Sequence, residues 1–144
     1  MGTRLFACLL AAMLSVPARA IELPDLQGRM HTLEGYRGKW VVLNVWATWC
    51  APCISEMPEL QALAQARSDV VVLGLTAAGE NPQRLRQFAA ALRVTYPIIP
   101  GDRKTLGELA IRAYPTTLLY NPEGKLVLTH VGKVTMRELA AQLP

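Results

Sequence analysis

The chain reads as an α/β domain, a mixed sheet covered by helices with a β-hairpin ahead of it. Three observations predict this class. Two apolar, β-prone runs, Trp40 to Trp46 and Val70 to Thr76, suit strands buried on both faces. A helix-patterned stretch separates them, so the chain alternates strand and helix. Near the C-terminus two strand-like runs meet at the turn signal Asn121-Pro122-Glu123-Gly124, which adds an antiparallel hairpin.

The elements follow in order. Leu23-Pro24-Asp25-Leu26 and Met30-His31-Thr32-Leu33 flank a turn at Gln27-Gly28-Arg29 and form the leading hairpin. Trp40 to Trp46 is nearly all apolar apart from Asn44. Ala51 to Arg67 is helical, with Ile54, Met57, Leu60, Leu63 and Ala64 along one face. Pro58 lies inside it and predicts a kink, because it lacks an N–H and crowds the preceding turn. After the strand Val70 to Thr76, Asn81-Pro82 is an N-cap with a first-turn proline, opening a helix to about Arg93. Pro97 to Pro100 is short and extended, and Arg103 to Ile111 is a short helix. Thr116 to Tyr120 and Lys125 to His130 are the terminal hairpin. Thr135-x-x-Glu138 is a capping box for a final helix to about Leu143.

Met1 to Ala20 read as a secretory leader. Arg4 precedes the apolar run Leu5 to Val16, and Ala18-Arg19-Ala20 fits a small-x-small cleavage site. The run is short of the ~20 apolar residues a spanning helix needs, which argues against a retained anchor. Cleavage after Ala20 leaves one domain, Ile21 to Pro144, and removes Cys8. Lys+Arg then falls from 15 to 13 while Asp+Glu stays at 11, a net charge of about +2. That balance gives no reason to expect a nucleic-acid partner or an acidic membrane surface.

Cys50 and Cys53 are then the cysteines of an exported domain. They follow a strand and open a helix, which is a redox arrangement, and the helix N-terminus favours a thiolate on the first sulfur. Two other readings compete. A structural staple is common in an oxidising compartment, but a two-residue gap constrains the unfolded chain little. A zinc site needs about four ligands, and the other candidates are only His31 and His130. Neither histidine is assigned a role; both read as surface or strand-end residues. No metal and no cofactor are expected.

Four segments together resemble the thioredoxin superfamily, and within it the exported TlpA/ResA/DsbE-type branch. They are Leu23 to Arg29 with Tyr36 to Lys39; Asn44 to Cys53 followed by Pro58; the region from Gly79 to about Leu92; and Tyr114-Pro115-Thr116-Thr117. The resemblance implies a thioredoxin-like mixed sheet flanked by helices, with an N-terminal β-hairpin and a central helical insertion. It implies that Cys50, partly exposed, attacks a partner's disulfide and that the more buried Cys53 resolves the mixed disulfide. It implies a cis bond before Pro115, in a loop whose backbone takes an extended substrate segment, so Trp49, Ala51, Pro52, Tyr114, Pro115 and Thr116 are expected at the substrate surface. Trp46 is expected beneath the site, and Gly132 beside the docking groove. Asn44 stands where thioredoxins themselves carry a buried acid, and asparagine cannot exchange a proton at neutral pH. Glu56, three residues after Cys53 on the same helical face, is the substitute; the alternative is an ordinary solvated carboxylate. Pro52 lacks an N–H and so removes one donor to the Cys50 thiolate, which favours a reducing couple.

The function expected from this resemblance is a periplasmic thiol:disulfide oxidoreductase that reduces cysteine pairs in exported proteins. Apocytochrome c and a copper-site assembly protein are the substrates the branch suggests. A membrane protein that passes electrons from cytoplasmic thioredoxin is the implied electron source, and a monomer is the default. A disulfide-forming oxidase would use the same residues at a different potential, and a copper-handling assembly protein would use Cys50, Cys53 and a histidine. A peroxidase is disfavoured, because no Pro-x-x-x-Thr-x-x-Cys pattern surrounds Cys50.

Overall fold

The computed structural model describes residues 20–144. The expected leader, with Cys8, lies outside the described residues except for Ala20. A two-stranded antiparallel hairpin, β1 (Leu23–Pro24) and β2 (Met30–His31), leads the domain. A single 3-10 turn, Glu34–Tyr36, follows it where no helical pattern is legible in the sequence. The main sheet has five strands: β3 (Trp40–Trp46), β4 (Val70–Ala78), β5 (Ile98–Gly101), β6 (Thr116–Tyr120) and β7 (Leu126–Val131). Their spatial order is β5-β4-β3-β6-β7. β3 pairs in parallel with β4, and β4 with β5, while β6 runs antiparallel to both β3 and β7. The helices are α1 (Ala51–Ala66), α2 (Pro82–Ala91), α3 (Arg103–Glu108) and α4 (Met136–Ala140). This is the expected mixed sheet flanked by helices.

Several ends differ from the sequence reading for local reasons. β4 runs on to Ala78, with a register irregularity against β5 after Leu75. α3 stops at Glu108, because Ala110 adopts a left-handed φ of 55° and its N–H turns back to the Gly107 carbonyl. Asn81 caps α2 by accepting from the N–H groups of Gln83 and Arg84, and the Thr135–Glu138 capping box opens α4. Pro58 sits inside α1, so one carbonyl of the preceding turn lacks its usual helical donor.

The alternation of β3 divides the core. Val41, Leu43 and Val45 face one layer with Leu73, Leu75, Leu106 and Leu118. Val42 and Trp46 face the other, with Met57 and Leu60 of α1, Leu85 of α2 and Leu139 of α4. Each fully buried aliphatic side chain contributes roughly 1.5–3 kcal/mol. Asn44 shares the α1-facing side of β3 and is 0% exposed. A polar residue therefore lies inside an apolar layer, where it meets the second turn of α1 at Glu56.

His31 corrects the sequence reading. It is buried, its Nε2 lies 2.9 Å from Asp25 Oδ2, and its Nδ1 meets the Tyr36 hydroxyl. Asp25 Oδ1 also accepts from the backbone N–H groups of Gln27 and Arg29, each at 2.9 Å. This network fastens the hairpin turn to the 3-10 turn. Burial pushes the Asp25 carboxyl up, but the bonds from His31, Arg29 and Gln27 outweigh it and hold the group well below the usual carboxylate range. Among the described residues, no helix is long and apolar enough to cross a membrane.

Candidate active site

The chain leaves β3 at Trp46 and reaches Cys50 through Ala47-Thr48-Trp49. Cys50 has an extended backbone, φ −98° and ψ 99°, and is the N-cap of α1. Its Sγ accepts the Cys53 N–H at 3.3 Å, as a serine hydroxyl would at such a cap. A disulfide joins Cys50 to Cys53, with an S–S distance of 2.05 Å. Cys53 is 0% exposed and Cys50 6%. The expectation of a partly exposed Cys50 is thus corrected for this bonded state: its sulfur is engaged by the bridge and the first turn of the helix. Ala51 and Pro52 are exposed between the two.

The loop before β6 reaches the segment leading into Cys50 through the contact of Tyr114 with Trp49. The Tyr114–Pro115 bond is cis. Pro115 is buried, and its carbonyl accepts the Gly132 N–H at 2.9 Å, which pins this loop to the end of β7. Tyr114 remains partly exposed and meets the Trp49 ring edge-on, with centroids 5.6 Å apart. Trp49 is 70% exposed, whereas Trp46 is fully buried and packs against Phe88. Thr116 differs from its expected place at the substrate surface. It is buried, its hydroxyl donates to the Ala113 carbonyl, and its backbone lies between Val45 and Val131 in the sheet. Both edges of β6 are paired, with β3 and β7, and the Thr116 side chain is turned inward.

Glu56 lies on the inner face of α1 and is completely buried. Its Oε1 accepts from Asn44 Nδ2 at 2.6 Å, and its Oε2 accepts the Val134 N–H at 2.8 Å. Asn44 Nδ2 also donates to the Thr117 hydroxyl at 3.1 Å. The solvated-carboxylate alternative therefore does not hold. Burial pushes the Glu56 carboxyl above its usual value, against the opposing pull of the Val134 and Asn44 bonds and the positive charges of His130 and Lys133. Asn44 Oδ1 has no hydrogen-bond partner among the described residues. The Asn44 amide carries both a donor and an acceptor, so with a turn of the amide it can serve Glu56 in either protonation state.

Sequence reasoning missed three contributors. Val134 and Thr117 enter through pairings across 78 and 73 residues. Glu80, just after β4, accepts from the Thr48 N–H at 2.9 Å and from its hydroxyl at 2.9 Å and 3.2 Å. The one local hint is Gly79, whose φ of 84° permits the sharp exit from β4. Among the described residues, no group of three or more His, Cys, Asp or Glu side chains could hold a metal ion.

This arrangement suits thiol–disulfide exchange: a sulfur at a helix N-terminus, a shielded second sulfur, and a buried carboxyl one turn further along the helix. Comparison with known proteins agrees. The AhpC/TSA family model matches residues 14–129. The chain is 34% identical over 124 residues to thioredoxin-like protein YneN of Bacillus subtilis, covering 84% of this chain and 73% of that protein. It is 36% identical over 124 residues to thiol-disulfide oxidoreductase ResA of Geobacillus thermodenitrificans, covering 84% and 71%. Among solved structures it superimposes on the exposed lipoprotein thioredoxin Etrx1 of Streptococcus pneumoniae with a TM-score of 0.77 and 29% identity, covering 87% of this chain and 98% of that one.

Proposed function

The chain belongs to the AhpC/TSA family and is a thiol-disulfide oxidoreductase of the ResA type; from that premise we propose that it works outside the cytoplasm as a reductant of cysteine pairs in exported proteins. The observation that carries the direction is the poverty of donors at Cys50. Its sulfur accepts one N–H, from Cys53, and Pro52 has none to give. A thiolate with few donors has a higher pKa, and its dithiol is a stronger reductant.

In the proposed cycle the Cys50 thiolate attacks one sulfur of the partner's disulfide. A Cys50–partner disulfide forms and the partner's other sulfur leaves as a thiolate. Cys53 gives its proton to Glu56 and attacks Cys50 Sγ. The Cys50–Cys53 bond forms, the second partner sulfur leaves, and two electrons have moved to the partner. Glu56 suits the proton step because burial raises its affinity for a proton while Asn44 and Val134 keep it in place. The exposed Trp49 and the partly exposed Tyr114, with Ala51 and Pro52, are the surface proposed to receive the substrate segment, and Pro115 shapes that loop.

The substrates proposed are oxidised apocytochrome c or copper-site assembly proteins, and the proposed electron source is a membrane thiol transporter. The proposed setting is the periplasm, reached through the leader Met1 to Ala20. The leader pattern supports it, as does likeness to a protein described as an exposed lipoprotein. A monomer is proposed. Two experiments test this. Equilibration of the mature protein in glutathione or dithiothreitol buffers should give a midpoint well below the glutathione couple; a midpoint near that of the strong oxidants overturns the reductant reading. Cys53→Ala should trap exported partners on Cys50, and an empty trap counts against exchange with protein disulfides.

A further inference from the structure

Thr48 sits two residues before the nucleophile and carries two donors, its N–H and its hydroxyl. Either is of the kind that would stabilise a nearby thiolate. Both go instead to Glu80, whose two carboxylate oxygens accept three contacts of 2.9–3.2 Å. Glu80 is held from behind: Gly79 turns the chain out of β4, and Asn81 immediately caps α2. The carboxylate is thus fixed between two elements and aimed at the loop that leads into Cys50. We infer that Glu80 is a positioning residue for the exchange reaction: by taking both Thr48 donors it keeps them from the Cys50 sulfur and makes the Cys50–Cys53 couple more reducing.

The inference rests on disulfide exchange at Cys50, not on which partner is served. Other charged or titratable groups around the site come from each neighbouring element. α1 brings Glu56, α2 brings Arg84 beside Thr48 and Trp49, the loop before β6 brings Tyr114, and the end of β7 brings His130 and Lys133 toward Glu56. None of these has a hydrogen bond to Thr48, so the effect of Glu80 is separable by mutation.

The test compares the parent with Glu80→Ala, Glu80→Gln and the double variant Glu80→Ala/Thr48→Ala in glutathione buffers, with the pH profile of thiolate formation read on each. Glu80→Ala should lower the equilibrium constant for forming the disulfide about tenfold, or about 30 mV for this two-electron couple. It should also move thiolate formation to lower pH. Glu80→Gln keeps the length and one acceptor and should shift both less. Adding Thr48→Ala to Glu80→Ala should reverse part of the shift, because the freed hydroxyl is gone. Mere loosening of the loop would not be reversed by losing another contact. If Glu80→Ala does not fold, Glu80→Gln carries the test. A constant within twofold of the parent in the folded Glu80 variants, or a shift that Thr48→Ala leaves untouched, overturns the inference. A parent that does not equilibrate with glutathione at all would instead overturn exchange at Cys50.

Discussion

Asn44 Nδ2 donates to Glu56 Oε1 at 2.6 Å, and both side chains are wholly buried. One residue belongs to the central strand β3 and the other to α1, the helix that begins at the disulfide. The acid of this site therefore stands on the helix, and the strand supplies the amide that holds it. In the proposed cycle this carboxyl receives the proton that leaves Cys53, a role for which β3 carries no acid.

The raised pKa of Glu56 makes stability depend on pH. A carboxyl whose native pKa lies above its unfolded value contributes stability that is fully present below the unfolded pKa. That contribution is lost as pH rises through the native pKa. Glu56→Gln removes the penalty of an ionised buried group. The variant should be more stable than the parent at pH 7 and should show no advantage near pH 4. Denaturant midpoints at both pH values check this, and an equal difference at both counts against a raised carboxyl. Thiol titration of the same variant should move the Cys53 ionisation; an unchanged titration removes Glu56 from the proton step.

Asp25 has the opposite sign. Its native pKa is depressed, so its contribution is present above the unfolded carboxylate pKa and disappears as pH falls through the native value. Asp25→Asn keeps the acceptor for the backbone N–H groups of Gln27 and Arg29 but loses the charge facing His31 and the Arg29 side chain. It should cost about 2 kcal/mol at pH 7, with the gap to the parent closing in acid. Unfolding curves at pH 7 and pH 3 measure it.

Trp49→Ala should separate recognition from chemistry. Trp49 is 70% exposed and touches Tyr114, so its removal costs the fold little, under about 0.5 kcal/mol. Reduction of a protein disulfide should slow about tenfold, consistent with 1–2 kcal/mol from an aromatic contact at an interface. Exchange with dithiothreitol should be unchanged. Equal slowing with both substrates would assign Trp49 to the reaction itself.

Gly101 closes β5 against β4. A Cβ there would stand 1.7 Å from the Thr76 carbonyl oxygen, a backbone atom that cannot swing aside. The Gly101 N–H also donates to the Thr76 hydroxyl at 3.0 Å. Gly101→Ala should therefore destabilise by more than about 3 kcal/mol, since relief requires parting the strands. Thermal unfolding reads this, and a loss under about 1 kcal/mol would mean that the strand edge yields freely.

Patterns confined to a few neighbouring residues are legible in the amino-acid sequence. Trp40–Trp46 and Thr116–Tyr120 are the strands that their apolar, β-prone composition indicates, and the Asn81 and Thr135 caps open the helices they announce. Cys50, Cys53 and the candidacy of Glu56 are legible in the same way. The burial of His31 is not, because its partners Asp25 and Tyr36 meet it only when the hairpin folds back. Nor is the burial of Thr116, because adjacency to Pro115 says nothing about which strands cover it.

The order of elements, the positions of the two sulfurs and the helix that begins at them are local properties of the chain, because hydrophobic period, caps and spacing act over one or two turns. What surrounds those sulfurs is set by tertiary packing alone. Asn44 and Val134 converge on Glu56 across separations of 12 and 78 residues, and Glu80 reaches Thr48 across 32. Such pairings follow from sheet register and helix packing, which bring distant polar groups together where burial makes each unpaired atom costly.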